Sequence, residues 1–293
     1  MRLRLRERVL ELRPAEPLLM GIVNATPDSF SDSPGPKRLD ELVARAHDLS
    51  RAGAGLIDVG GESGRTDREA VPVEVEIERV APLIERLAGD GLTVSVDTWR
   101  APVARAALEA GAAMVNDVSG LTDPEIADAC AATGAALVVT HTRSAPKRKA
   151  FPDYADVVAD VATLLRERAD EARRRGVAEE QLVFDPGIDL AKTPAESVDV
   201  LRRLSELHGL GRPLLVAVSR KDFVGALTER PPGARLGGSL AALGFSVDGG
   251  AHILRMHDVA DASDYLRVRA ALRGEVEVPR DLQLDVALRR EPG

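Results

Sequence analysis

Cysteine is almost absent from this 293-residue chain. The single Cys130 permits no internal disulfide and cannot build a multi-cysteine zinc site. No apolar run approaches the roughly 18 residues that a membrane-spanning helix needs. Basic residues number 39 against 47 acidic, a net charge of −8, and they form no concentrated stripe. Nucleic acid is therefore disfavoured as the main partner, although a local basic pocket for a small anion stays open. The opening run MRLRLRERVLELRP carries frequent charges and has no apolar core, so it is not expected to be a secretory signal. No linker rich in Pro, Gly or Ser divides the chain. What is present is ordinary globular usage, 44% hydrophobic and 29% charged, which excludes wholesale disorder. The expectation is a soluble, cytoplasmic, single-domain protein with a large core and no membrane contact.

Short β-prone apolar runs recur at Leu18–Val23, Leu56–Val59, Leu92–Val96, Met114–Val118, Ala136–Thr140, Leu182–Phe184, Pro213–Val218 and Ile253–Met256. Between them lie stretches such as LDELVARAHDLSRAG and ADVVADVATLLRERADEARRRG, with apolar residues at spacings of three and four. Eight strands alternating with helices predict parallel pairing and a (β/α)8 TIM barrel. The rival, an open doubly wound sheet, lacks a G-x-G-x-x-G after its first strand. Residues 18–274 are assigned to the barrel. Residues 1–17 form an extension, its alternating part a hairpin capping the barrel bottom, and residues 275–293 form a polar tail with a short helix or strand.

Barrel catalysis sits at the carboxyl ends of the strands. Here those ends carry Asn24, Asp58, Asp97, Asn116-Asp117, Thr140-His141, Asp185, Ser219-Arg220-Lys221 and Arg255-Met256-His257. Taken singly, such an Asp or Asn is more often a helix cap or turn residue, and a lone histidine a packed one. Eight independent caps, however, have no need of carboxylates, an amide, a lysine and several cationic groups together. Asp97, Asn116 and Asp185 suit a flat heterocycle rich in amide and amine groups, with Lys221 donating to a ring carbonyl or nitrogen. Arg65, Arg255 and His257 suit phosphate, and the uncharged oxygen of Asn24 suits a hard cation such as Mg²⁺. The residues alone describe a pocket for a phosphate-bearing polar heterocycle and leave the reaction undecided.

Seven runs carry a resemblance: MGIVNATPDSFSD (20–32), IDVGGESGR (57–65), SVDT (95–98), NDVSG (116–120), DPGI (185–188), SRK (219–221) and RMHDV (255–259). In this order and over residues 18 to 272, the chain resembles the dihydropteroate synthase family. The resemblance implies a homodimeric (β/α)8 barrel. It also implies condensation of 6-hydroxymethyl-7,8-dihydropterin pyrophosphate with 4-aminobenzoate, giving 7,8-dihydropteroate and pyrophosphate in folate synthesis. On that basis Asp97, Asn116, Asp185 and Lys221 correspond to pterin-binding positions, Asn24 to the magnesium position, and Arg255 and His257 to pyrophosphate-binding positions. Phe30, Ser31 and Asp32 fall on a first catalytic loop, and Ser63 and Arg65 on a second. Pyrophosphate is expected to leave first, with Asp97 stabilising the cation left on the pterin methylene.

The chain also departs from that family's pattern. Gly64, Thr66 and Asp67 replace Thr, Pro and Gly, and Asp222 replaces a serine that in the family helps receive the aminobenzoate carboxylate. Asp189, Leu190 and Ala191 replace two glycines and an aromatic; Thr140 and Thr142 replace apolar residues; Ala217 replaces a glycine. Asp222 either repels the acceptor carboxylate or merely caps its helix. The alternative functional reading is a pterin-binding paralogue with weak aminobenzoate activity or another acceptor amine.

Overall fold

The computed structural model describes residues 1–14, 16–26, 36–62, 69–285 and 288–289. Its chain opens with an antiparallel hairpin, β1 (Arg2–Leu5) and β2 (Arg8–Glu11). Eight parallel strands follow: β3 (Leu18–Asn24), β4 (Ala54–Gly60), β5 (Val94–Asp97), β6 (Met114–Asp117), β7 (Ala136–Thr140), β8 (Leu182–Asp185), β9 (Leu215–Ala217) and β10 (Ile253–Met256). They pair in the order β8-β7-β6-β5-β4-β3-β10-β9. The two ends meet where Phe184 donates its N–H to the Pro213 carbonyl at 2.9 Å, beside a parallel bridge to Leu214. The sheet is thus a closed (β/α)8 barrel.

Nine α-helices among the described residues wrap it: α1 (Pro36–Arg51), α2 (Val73–Gly89), α3 (Ala101–Glu109), α4 (Glu125–Thr133), α5 (Val157–Arg174), α6 (Pro194–Arg202), α7 (Asp222–Thr228), α8 (Leu236–Asp248) and α9 (Val259–Leu272). Local signals start several of them. Asp156 accepts the Val158 and Ala159 amides ahead of α5, and Thr193 with Glu196 forms a reciprocal capping box around Pro194 ahead of α6. The third strand begins two residues later than its apolar run, because Leu92 closes the turn after α2 by donating to the Leu87 carbonyl. Residues 275–285 carry no helix or strand.

Period-two alternation divides the core into two layers. Ile57, Val59, Val96, Val115, Leu137, Phe184, Val216 and Leu254 face the helices. Met20, Leu56, Met114, Val138, Val183, Leu215 and Ile253 fill the barrel, where they pack against Leu3, Leu5 and Leu12 of the hairpin segment. Each of those three leucines, 0–5% exposed, contributes about 2 kcal/mol on burial. Arg6 fastens the plug: its amide donates to the Gly134 carbonyl at 2.8 Å and its guanidinium to the Leu108 carbonyl at 3.1 Å. The hairpin thus closes the amino-terminal end of the barrel.

Candidate active site

The alternation that turns Leu56, Met114, Val183 and Ile253 inward also turns inward the residues two positions later. These are Asp58, Asn116, Asp185 and Arg255, one layer nearer the open mouth. Strand register sets the neighbours: Asn24 opposes Gly60, Gly60 opposes Asp97, and Asp97 opposes Asn116.

Arg255 joins them. Its Nε donates to Asp58 Oδ2 at 2.6 Å and its Nη2 to Asp97 Oδ2 at 2.7 Å. Asn116 donates Nδ2 to the same Asp58 oxygen at 3.0 Å, which fixes the direction of its amide. Both Asp58 and Asn116 are buried, and the Oδ1 atom of each has no hydrogen-bond partner among the described residues. An unpartnered buried acceptor costs about 1–3 kcal/mol.

One guanidinium here serves two carboxylates. Burial works against the Arg255 charge, but Asp58 and Asp97 outweigh it and hold its pKa above the ordinary value. Burial pushes Asp97 up to about 7, with Asp58 adding to the rise and Arg255 and Lys221 opposing it. Burial also raises Asp185, whose Oδ1 accepts the Gly187 amide at 2.7 Å; Lys221 and Lys192 pull the other way. Lys221 stands at the start of α7, and its charge opposes the rise at both Asp97 and Asp185.

Burial, then Arg255 and Arg220, lower the pKa of His257 to about 4, so at pH 7 it offers a neutral hydrogen-bond donor rather than a charge. Ser219 Oγ accepts the His257 amide at 3.1 Å and meets Nδ1 at 2.9 Å. The arrangement that satisfies both has the hydroxyl donating to Nδ1, which leaves the ring proton on Nε2. Asn24 lies exposed at the end of β3. Among the described residues no group of three or more His, Cys, Asp or Glu could hold a metal ion. Magnesium that keeps its waters and leans on phosphate asks only for a neutral oxygen such as the Asn24 amide, so the donor present fits that modest demand. Phe30, Asp32, Ser63 and Arg65 lie outside the described residues, as do Ser31, Gly64, Thr66 and Asp67.

Behind Asp185 the chain turns through three left-handed residues, Gly187 (φ 67°), Asp189 (φ 65°) and Ala191 (φ 50°). At Gly187 a Cβ would run into the His141 carbonyl, so glycine is required there. Asp189 and Ala191 hold a left-handed backbone that glycine adopts without strain, at a cost of about 1 kcal/mol each. Buried Lys192 braces the turn, donating Nζ to His141 Nδ1 at 2.7 Å and to the Gly187 and Leu190 carbonyls at 2.9 and 3.1 Å. His141 passes the contact on through Nε2 to Asp160 at 2.8 Å. Burial, and then Lys192, lower His141 to about 4.

The Asp222 carboxylate neither caps α7 nor turns into a buried pocket. It is exposed and pairs with Arg235 at 3.1 Å. The capping carboxylate is Asp189, which accepts the amides of Asp222 and Phe223. Sequence reasoning gave no site role to Asp58, Lys192 or Asp189. Asp58 carried a visible signal, a charge two positions beyond an inward leucine.

A closed barrel with carboxylates, an amide and basic groups at its mouth is the architecture of a pterin-binding enzyme, and residues 20–257 match the model of that family. The chain is 41% identical to dihydropteroate synthase of Synechocystis sp. over 258 residues, 87% of this chain and 89% of that protein. It is 39% identical to the enzyme of Escherichia coli K12 over 256 residues, 87% of this chain and 91% of that one. Its fold matches the Xanthomonas albilineans dihydropteroate synthase solved with 4-aminobenzoic acid, at 42% identity and a TM-score of 0.86, covering 95% of this chain and 99% of the other. A structure of that enzyme with 7,8-dihydropteroate matches at 41% identity and a TM-score of 0.83, covering 95% and 100%. The chain belongs to the dihydropteroate synthase family of transferases.

Proposed function

We propose that this protein condenses 6-hydroxymethyl-7,8-dihydropterin pyrophosphate with 4-aminobenzoate, releasing 7,8-dihydropteroate and pyrophosphate in folate synthesis. The observation that carries the reading is the pair of buried, unpartnered acceptors, Asp58 Oδ1 and Asn116 Oδ1, locked in orientation by the shared Asp58 Oδ2 contact. A pterin offers ring N–H and amino donors to such acceptors. Asp185 adds another carboxylate, and Lys221 a donor for the ring carbonyl.

Asp97, once ionised, faces the positive charge that builds on the pterin methylene as pyrophosphate departs. Arg255 Nη1 bonds no described residue and is the donor left for the departing anion, with neutral His257 offering a hydrogen bond through Nε2. Asn24 would hold Mg²⁺, which when bound offsets charge on the pyrophosphate oxygens. Arg65, Phe30, Asp32 and Ser63 are assigned to closing the mouth and receiving the amine.

A homodimer in the cytoplasm is part of the same proposal. Its support is an apolar groove of about 280 Å³ on the outer helices, lined by Leu201, Phe223, Val224, Leu227 and Phe245. Leu227 and Phe245 are 69% and 50% exposed, a large apolar surface to leave in water. No helix among the described residues is long and apolar enough to cross a membrane. The deciding assay incubates the protein with the pterin pyrophosphate, Mg²⁺ and 4-aminobenzoate, and measures pyrophosphate and dihydropteroate separately. Equal yields of both support the synthase; pyrophosphate without pteroate points to another acceptor, and neither product refutes the reading.

A further inference from the structure

Asp185 and Lys221 belong to neighbouring units of the barrel, so something must set the distance between them. The backbone that carries Lys221 is tied firmly on one side. Arg220, itself left-handed at φ 58°, donates its amide to Ser239 Oγ at 2.9 Å and its guanidinium to both Asp258 oxygens at 3.0 and 2.6 Å. Arg235 donates Nη1 to the Arg220 and Lys221 carbonyls at 2.9 and 3.1 Å. All of these ties come from α8 and its approach, or from the end of β10. From the β8 side, where Asp185 stands, the side-chain tie among the described residues is Asp189. Its carboxylate accepts the amides of Asp222 and Phe223, the two residues that follow Lys221. Ser197 anchors it in turn: Oγ donates to Asp189 Oδ1 at 3.2 Å and accepts the Asp189 amide at 3.1 Å.

We propose that Asp189 is a positioning residue for Lys221, a strut from the turn behind Asp185 to the start of α7 that fixes the two pterin-facing groups relative to each other. The proposal rests on the pterin reading above. A left-handed aspartate is a poor choice for a simple turn, where glycine is unstrained. Its three donors explain why a side chain stands there. Asp189 touches no reacting atom; it acts through the placement of the Lys221 ammonium.

Calorimetry with 6-hydroxymethyl-7,8-dihydropterin on the full chain tests this. Asp189→Gly keeps the left-handed turn and removes the strut, and is expected to weaken the pterin about five- to thirtyfold. Asp189→Asn keeps an acceptor oxygen and tolerates the backbone, so it is expected to stay within about threefold of the parent. In a Lys221→Ala background, Asp189→Gly is expected to add less than about twofold, the coupling that two residues acting as one unit show. A purely structural tie would instead lower the melting temperature and leave that coupling at zero. Unchanged affinity in Asp189→Gly overturns the proposal, as does an undiminished loss in the Lys221→Ala background. If Asp189→Gly fails to fold by circular dichroism, Ser197→Ala takes its place: a two- to fivefold loss is expected, roughly one lost hydrogen bond, and no loss overturns the proposal. A parent chain that binds no pterin brings down the functional reading itself, a result distinct from a parent and variant that bind equally well.

Discussion

Arg255 holds Asp97 at 2.7 Å through one nitrogen while another holds Asp58 at 2.6 Å. A cation from the last barrel strand thereby joins two anions from the second and third. Asp58 and Asn116, in turn, share a hydrogen bond at 3.0 Å. This wall of the barrel mouth is consequently one network, and its members answer to one another when any is changed.

Removing the shared cation is expected to be costly. Arg255→Ala strands the buried Asp58 carboxylate and leaves the partly exposed Asp97 without its cation, a loss of about 3 kcal/mol. Arg255→Lys restores the charge but not the fork that reaches both partners, and is expected to recover less than half of it. Urea unfolding at pH 7.5 checks this. A parent-like midpoint for Arg255→Ala would mean that the bridge contributes nothing.

Asp97 sets opposite demands for stability and activity. Its folded pKa, about 7, lies above the ordinary carboxyl value of 3.8. A raised value means that the native state holds its proton more tightly, so this contribution to stability is full below pH 3.8 and lost as pH rises through 7. The proposed mechanism uses the charged carboxylate, so kcat/KM for the pterin pyrophosphate is expected to rise through an apparent pKa near 7. Asp97→Asn removes both effects. It is expected to raise the melting temperature at pH 8, not at pH 3.5, and to lower kcat about a hundredfold or more. A variant less stable than the parent at pH 8 would show that pairing with Arg255 outweighs burial.

Asp185→Asn and Lys221→Ala are each expected to weaken dihydropterin binding by about 1–3 kcal/mol, roughly ten- to a hundredfold. Asn116→Ala belongs with them, since it strips one orphan acceptor and releases Asp58 Oδ2 from its amide contact. Calorimetry that shows all three bound like the parent would remove the pterin pocket.

Much of this architecture is legible in the amino-acid sequence. The βα rhythm announced a barrel, and polar groups at each strand end marked its working face. The hairpin announced itself through alternating Leu3, Leu5 and charged residues. What stayed hidden depends on partners remote in sequence. Nothing near Asp58 indicates that Arg255, 197 positions away, will occupy one of its oxygens. Nor does the sequence around His257 show that burial beside Arg255 lowers its pKa to about 4. Asp189 was harder still. A side chain in a left-handed turn has no sequence signature, and the amides it accepts lie 33 and 34 positions on.

Asp222 stands in a setting that its sequence position does not suggest. At the sequence level its charge threatens the carboxylate of 4-aminobenzoate. In the structure its side chain is 74% exposed and lies 3.1 Å from Arg235 Nη1. Water and a neighbouring cation both weaken its field, and two unit charges about 4 Å apart in water repel by about 1 kcal/mol. Asp222→Ser is therefore expected to lower the Michaelis constant for 4-aminobenzoate by about fivefold at most. The effect is expected to shrink further with salt, because screening acts most strongly on exposed charges. Steady-state kinetics at about 20 and 300 mM NaCl, which bracket the physiological Debye length of about 8 Å, give the comparison. A drop of fiftyfold or more that ignores salt would mean that Asp222 turns inward when the acceptor binds. No change at either salt would leave it a surface partner of Arg235 alone.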